Sequence, residues 1–249
     1  MQKKFLVFLI SALTTLSLSC SSNLSKGRYR IPYSNNTQIK VAQDHKTHDP
    51  EDRVDLIGVR GMPPYRIVAA AAGTVRFIED RHTASCSIPE VTNCGACNNY
   101  VWIEHSNGEW TKYSHFQTGS VTKIARISVG QRVAAGTFLG VEGDVGSTRG
   151  SPGRAQVACD HNPIQQALID SVNAVRRSMG LDSVRARVHL HFEVGVPDNL
   201  QDPINPAGGF LKGKNRVPQI CGIAGSLFKK DSIYVAADCP TSGKTSNAR

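Results

Sequence analysis

From Tyr65 onward apolar and polar positions alternate in short runs broken by glycine, the period-2 pattern of half-buried strands. Arg66 to Ala72 and Gly73 to Ile78 read as two strands around a glycine turn. Tyr100 to His105, the turn residues Ser106-Asn107-Gly108 and Glu109 to His115 form a strong hairpin signal, because Asn-Gly accepts the positive φ of tight hairpin turns. Ser128 to Ala134 and Phe138 to Glu142 follow as strands on either side of Ala135-Gly136-Thr137, and strand character returns at Arg187 to Gly195. The fold class this pattern predicts is all-β, with an antiparallel, glycine-punctuated sheet. One segment breaks it. Asn162-Pro163-Ile164-Gln165 offers an N-cap, a proline at the first helical position and a Gln for a capping box, Ile164, Leu168, Val172, Val175 and Met179 recur at helical spacing, and Gly180 can end the run. This predicts one inserted helix whose apolar stripe packs against the sheet.

Residues 21 to 43 are rich in Ser, Asn and Lys without periodicity and read as a flexible tether. Before them, Lys3 and Lys4, the apolar run Phe5 to Leu13 and a polar stretch up to Cys20 have the layout of a signal segment, too short for a spanning helix. Ser17-Leu18-Ser19-Cys20 fits two processing rules: small residues suit ordinary signal peptidase, and the cysteine after them resembles a lipobox. The chain has seven cysteines, and assigning Cys20 to lipid leaves the even set Cys86, Cys94, Cys97, Cys159, Cys221 and Cys239. The expectation is therefore an exported protein of the cell envelope, held as a lipoprotein, or secreted if Cys20 is not lipidated.

In that compartment the six remaining cysteines are expected as disulfides. Cys94-Gly95-Ala96-Cys97 lacks the second close pair that a four-thiolate zinc site needs. Connectivity stays open, with Cys221 and Cys239 able to close the C-terminal tail and Cys86 near enough to pair with Cys94 or Cys97. A length of 249 residues with 40% hydrophobic content suits one domain with extensions. The division expected is a signal segment over 1–20, the tether over 21–43, a main domain over 44–206 with a helical insertion at about 149–186, and a disulfide-stapled extension over 207–249. That extension reads either as a strand pair stapled to the domain or as a small binding module. The net charge of +9 implies attraction to anionic envelope polymers. No nucleic-acid motif is present, a monomer is expected, and contact with a membrane is expected only through the N-terminal lipid.

His189-Leu190-His191-Phe192-Glu193 carries the candidate chemistry, because side chains two apart on a strand share a face and place two imidazoles side by side. That is one way to build a metal site. Catalytic zinc takes three protein ligands of His or Asp/Glu type and keeps one position for water. The candidates are His48, Asp55 and His191, with His189 and His115 as neighbours able to take a proton or stabilise an oxyanion. His82, His105 and His161 read as structural hydrogen-bonders.

An upstream His before Asp55-Leu56, Ile67 to Val75, Val101 to Gly108, Tyr113-Ser114-His115, Val129 to Gly136 and His189 to Glu193, in this order, resemble the lysostaphin-type (LytM-like) zinc metalloendopeptidases over roughly residues 45 to 206. The resemblance implies a duplicated-hybrid-motif fold with a Zn2+ site in a groove, and hydrolysis of peptide bonds in peptidoglycan cross-links or stems. It implies that His191 is the ligand of the His-x-His pair and that His189 and His115 are catalytic. Two departures stand out. The family often places its first His four residues before the Asp, where this chain has Glu51, so His48 is the chosen ligand, with His45 in reserve and Glu51 as a carboxylate alternative. The insertion, roughly Thr148 to Ala186, separates segments that family members usually join directly. A rival reading is a non-catalytic envelope factor that binds and activates a separate wall hydrolase. Val129 to Gly140 is also similar to half of a biotinyl or lipoyl carrier fold, but no lysine occupies the hairpin tips that such carriers modify.

Overall fold

The structure is a computed structural model that describes residues 23–60, 64–83, 97–146, 188–206 and 208–240. The signal segment, Cys20, Cys86, Cys94, Cys159, His161 and the expected helix from Asn162 lie outside these residues. Among the described residues the strands are β1 (Leu24–Tyr29), β2 (Gln38–Gln43), β3 (Arg53–Arg60), β4 (Arg66–Val68), β5 (Gly73–Glu79), β6 (Tyr100–Glu104), β7 (Trp110–Ser114), β8 (Arg132–Val133), β9 (Phe138–Val141), β10 (Leu190–Pro197), β11 (Ile204–Asn205), β12 (Phe210–Leu211), β13 (Gly213–Ile220) and β14 (Ile233–Val235). A 10-stranded sheet runs β14-β2-β3-β10-β7-β6-β5-β8, with β13 joined to β10 and β1 to β13. Its pairings are antiparallel apart from β1 with β13. The all-β, antiparallel fold class is thus what the chain adopts.

Strand β10 lies between β3 and β7, and its alternation divides the sheet. Leu190, Phe192 and Val194 are fully buried in the main core with Val54 and Leu56 of β3 and Tyr113 of β7. His191 and Glu193 take the opposite face, as period-2 geometry requires. That face carries its own smaller apolar cluster of Trp102, Trp110 and Ile204, packed against Phe77, Tyr100 and Leu211.

Three expectations are corrected. Residues 21–43 do not form only a tether: they supply β1 and β2, because Ile39 and Val41 alternate into the core and β1 pairs with β13. Glu109 holds β1 in place, its buried carboxylate accepting from Lys26 N (2.6 Å), Gly27 N (2.8 Å) and the Tyr29 hydroxyl (2.8 Å). The segments Arg66 to Ala72 and Gly73 to Ile78 are not partners: β4 pairs with β9, and β5 with β6 and β8, since the buried Ala69 and Ala70 carry the chain from one sheet to the other. The strand expected over Ser128 to Ala134 shortens to β8, because Gly130 takes φ 85° and Gln131 N–H bonds Ser128 O (3.2 Å) in a turn. Beyond 206, β13 and β14 belong to the large sheet, and Cys221 and Cys239 form a disulfide that closes the tail upon it. Cys97 is disulfide-bonded as well.

Polar groups in this core are matched to one another. His105 Nδ1 lies 2.8 Å from Ala72 O, its Nε2 is 2.8 Å from the Thr111 hydroxyl, and that hydroxyl is 3.1 Å from Tyr113 Oη, which accepts from Ala70 N (2.7 Å). A neutral ring with the proton on Nδ1 satisfies every member, and burial lowers the pKa of His105 accordingly. Glu142 is the less settled group. Its carboxyl accepts from Tyr33 Oη (2.5 Å) and Gly58 N (3.2 Å), but burial outweighs these bonds and raises its pKa from 4.5 to about 7.

Between those two pH values the unfolded chain has released a proton that the folded chain retains, so stability falls as pH rises through the window. Glu142→Gln, which keeps the acceptor oxygen and removes the titration, is expected to match wild type near pH 4.5 and to exceed it by up to about 3 kcal/mol at pH 8. Urea unfolding at the two pH values measures the difference, and equal wild-type stability at both would contradict it.

Candidate metal centre

Strand register builds most of the site. His191 sits opposite Asp55 of β3 on one side and Ser114 of β7 on the other, so one row across the sheet holds Asp55, His191 and Ser114. His189 stands one step along the same face, where an isolated bridge ties it to Gly143. His115 ends β7 in the left-handed region (φ 69°), an uncommon conformation for a residue with a side chain. Its N–H is held by Asn99 O (2.9 Å) and Asn98 Oδ1 (3.2 Å), which oppose relaxation to extended backbone. Gly143 passes so close that a Cβ would lie 2.7 Å from His115 O.

His48 arrives from a loop instead. Asp44 ties that loop together, with Oδ1 accepting from Lys46 N (3.2 Å), Thr47 N (3.1 Å) and the Thr47 hydroxyl (2.9 Å), while its carbonyl accepts from His48 N (2.9 Å). Its Oδ2 accepts from Lys230 N in the stapled tail (2.9 Å). Burial opposes the ionisation of Asp44, but these bonds together outweigh it and hold its pKa below the ordinary carboxylate value.

The structure brings together His48, Asp55 and His191, with one donor atom from each within 4.8 Å of the others. His191 Nδ1 is 3.0 Å from Asp55 Oδ1 and 3.1 Å from His48 Nε2, and the latter is 3.4 Å from Asp55 Oδ1. The outward nitrogens are occupied by acceptors: His48 Nδ1 by Pro50 O (2.8 Å) and His191 Nε2 by Glu193 Oε1 (2.8 Å). If both rings are neutral, each outward nitrogen carries the proton, and two imidazole lone pairs converge on a carboxylate. Such a set of acceptors with no donor suits a divalent cation. Ser114 adds a buried hydroxyl with no hydrogen-bond partner among the described residues. His45 and Glu51 are not in this group; His45 offers its carbonyl to Asp52 N (3.0 Å), and Glu51 is exposed.

His189 Nε2 lies 3.6 Å from Asp55 Oδ1, and its ring centre is 4.6 Å from that of His115. His115 Nδ1 donates to Val145 O (2.8 Å), which leaves Nε2 as the ring's lone pair. Burial, then the neighbouring His189 and His191, push its pKa well below the usual histidine value, so the ring is neutral at physiological pH. For Asp55, burial opposes ionisation but the surrounding His189, His191 and His48 outweigh it and hold the pKa far down. His191 is raised, because Asp55 and Glu193 overcome the effect of burial. His82 and His105 lie away from the group: Asn99 clamps His82 through its backbone N–H (3.0 Å) and carbonyl (2.9 Å). Sequence reasoning missed Asp44, Asn98, Asn99 and Glu193. Only Glu193 had a signal, its place in the same period-2 series as the two histidines.

Residues 50–157 match the model of peptidase family M23. The match ends before the strand that bears His189 and His191. Residues 50–157, which carry Asp55 and His115, thus have the sequence pattern of this family. Solved structures similar to it include a putative glycyl-glycine endopeptidase lytM from Ruminococcus gnavus (17% identity, TM-score 0.38, covering 73% of this chain and 57% of that one). A zinc containing peptidase from Vibrio cholerae is also similar (17%, TM-score 0.30, 70% and 35%), as is the catalytic domain of the prophage-encoded M23 protein EnpA from Enterococcus faecalis (15%, TM-score 0.35, 69% and 85%). The chain therefore spans just over half the length of the first and about a third of the second. No curated protein sequence matches it.

The bonds of Asp44 make a direct expectation. Asp44→Ala should speed amide hydrogen exchange at Thr47 and His48 while leaving the exchange of β10 amides unchanged, and should cost about 1–2 kcal/mol of stability. Unaltered exchange in the loop would remove Asp44 as its anchor.

Proposed function

We propose that the protein is a zinc-dependent endopeptidase of the cell envelope that hydrolyses peptide bonds in peptidoglycan cross-links or stems. The observation that carries the proposal is the convergence of His48 Nε2, Asp55 Oδ1 and His191 Nδ1 beside two further imidazoles, in a chain whose residues 50–157 match family M23. In this reading His48, Asp55 and His191 hold the zinc. Bound there, the ion would supply Lewis acidity toward a peptide carbonyl and acidify a water to near-neutral pH.

The remaining steps belong to the chain. His115, neutral and with Nε2 unprotonated, has the protonation state of a general base, and its Nδ1–H bond to Val145 O fixes that tautomer. His189, against the His115 ring and 3.6 Å from Asp55, is placed to donate a hydrogen bond to the carbonyl oxygen as negative charge develops on it. A proton taken up at His115 Nε2 can then pass to the leaving amine. Asp55 compensates positive charge on either neighbouring ring. The signal-like segment before Cys20 supports an envelope location with lipid at Cys20, and the net charge of +9 supports attraction to anionic wall polymers.

The test is release of new amino groups from purified peptidoglycan by the chain from Ser21 onward. With zinc present, release is expected; chelation abolishes it and zinc restores it. His191→Ala should lose both bound zinc and activity, whereas His115→Ala and His189→Ala should retain zinc and lose about 100- to 10,000-fold in rate. A folded, zinc-loaded protein that releases nothing from walls of several chemotypes would replace this reading with that of a non-catalytic factor acting through a separate hydrolase.

A further inference from the structure

One step along β10 from the row Asp55–His191–Ser114 lies a second row that the proposed chemistry does not use. Glu193 sits directly opposite Arg53 of β3 on one side and Lys112 of β7 on the other. Glu193 and Lys112 are both fully buried. Glu193 Oε1 is 3.4 Å from Lys112 Nζ, and Oε2 is 3.2 Å from Arg53 Nε and accepts from Asn215 Nδ2 of β13 at 2.9 Å. Lys112 Nζ faces Gly208 O (3.4 Å) and the ring of Phe210 (4.5 Å), with Tyr100 and Trp102 farther off.

Stability alone is a poor account of this cluster, because replacing a buried ion pair by apolar residues of similar size is often neutral or stabilising. Its one link to the metal centre is direct: Glu193 Oε1 lies 2.8 Å from His191 Nε2. In the neutral ring that binds a metal through Nδ1, Nε2–H donates to Glu193 Oε1 and the Nδ1 lone pair faces His48 and Asp55. Arg53 and Lys112, one from each flanking strand, hold that buried carboxylate between them, at 3.2 Å and 3.4 Å.

We propose that the buried row Arg53–Glu193–Lys112 is the outer shell of the metal centre, and that Glu193 is the positioning residue that fixes the tautomer and orientation of His191. This rests on the reading of His48, Asp55 and His191 as the metal ligands. Glu193 contacts four strands at once, so correct pairing of β3, β7, β10 and β13 and correct presentation of the ligand are one event.

The test uses the full chain, zinc alone as the probe, and Glu193→Gln compared with the paired Glu193→Gln/Lys112→Met, which removes one charge of each sign from the interior. The paired variant is expected to keep the wild-type melting temperature without metal and to bind zinc about 10- to 100-fold more weakly in competition with a chelator. In zinc-loaded wild type the Nε2 proton of His191 is expected as a downfield, slowly exchanging resonance, which the paired variant loses. Unchanged affinity together with an unchanged resonance in the folded paired variant would overturn the proposal. If the variants do not fold, the wild-type resonance decides, and its absence overturns the proposal. Failure of wild type to bind zinc sinks the ligand reading and this inference together. Zinc binding without wall hydrolysis sinks only the proposed activity and leaves the outer shell standing.

Discussion

The register of β10 between β3 and β7 is the constraint on which the molecule depends. Because side chains alternate, a slip of one residue would bring Leu190 or Phe192 to the position of His191 and turn the histidines into the core. Two opposed requirements exclude that slip. On one face Leu190, Phe192 and Val194 must meet Val54, Leu56 and Tyr113; on the other, Glu193 must meet Arg53 and Lys112. Apolar burial fixes which face a residue takes, and the charged row fixes its place along the strand. The candidate metal centre inherits its precision from both, since Asp55 and His191 are cross-strand partners in the same register.

Much of this was legible because the signals were local. The Asn107-Gly108 turn announces the β6–β7 hairpin, and Gly108 takes the positive φ (81°) expected of it. The spacing of His189 and His191 announces a shared face, and the ends of β5, β6, β7, β9 and β10 fall within a few residues of those the alternation predicts. What was not legible depends on partners far away in sequence. Residues 24–29 have no periodicity of their own and become a strand because β13 and Glu109 receive them. β3 alternates only through Val54, Asp55 and Leu56 before Ile57 and Gly58 break the pattern; it is a strand because both of its neighbours are. The turn at Gly130 took residues from a strand that composition alone would extend.

The site shows the same division. His189, His191 and Asp55 lie on strands and could be paired by counting. His48 could be preferred to His45 and Glu51 only because the six residues between it and Asp55 can turn back to the same face, since no periodicity governs a loop. What orients it is Asp44, which gathers the amides of Lys46 and Thr47 and reaches Lys230 in the tail closed by Cys221 and Cys239. The C-terminal extension therefore supports the approach of the first candidate ligand, a function that composition did not suggest.

A centre assembled this way has unequal rigidity in its three arms. Asp55 and His191 are held by ladder hydrogen bonds, core packing and, for His191, a buried carboxylate; moving either means breaking the central sheet. His48 is held by one Asp-centred turn on a half-buried loop. Free energy that a metal ion gains from preorganised ligands comes mainly from the strand pair, and adjustment in bond length or angle falls to the loop. The longer spacing between His48 and Asp55 is tolerable for that reason: extra residues lengthen the loop arm without disturbing the strand pair. The length of chain between β9 and β10 is free to vary on the same ground, because the two strands are placed by their pairing with β4 and with β3 and β7 rather than by the residues that join them.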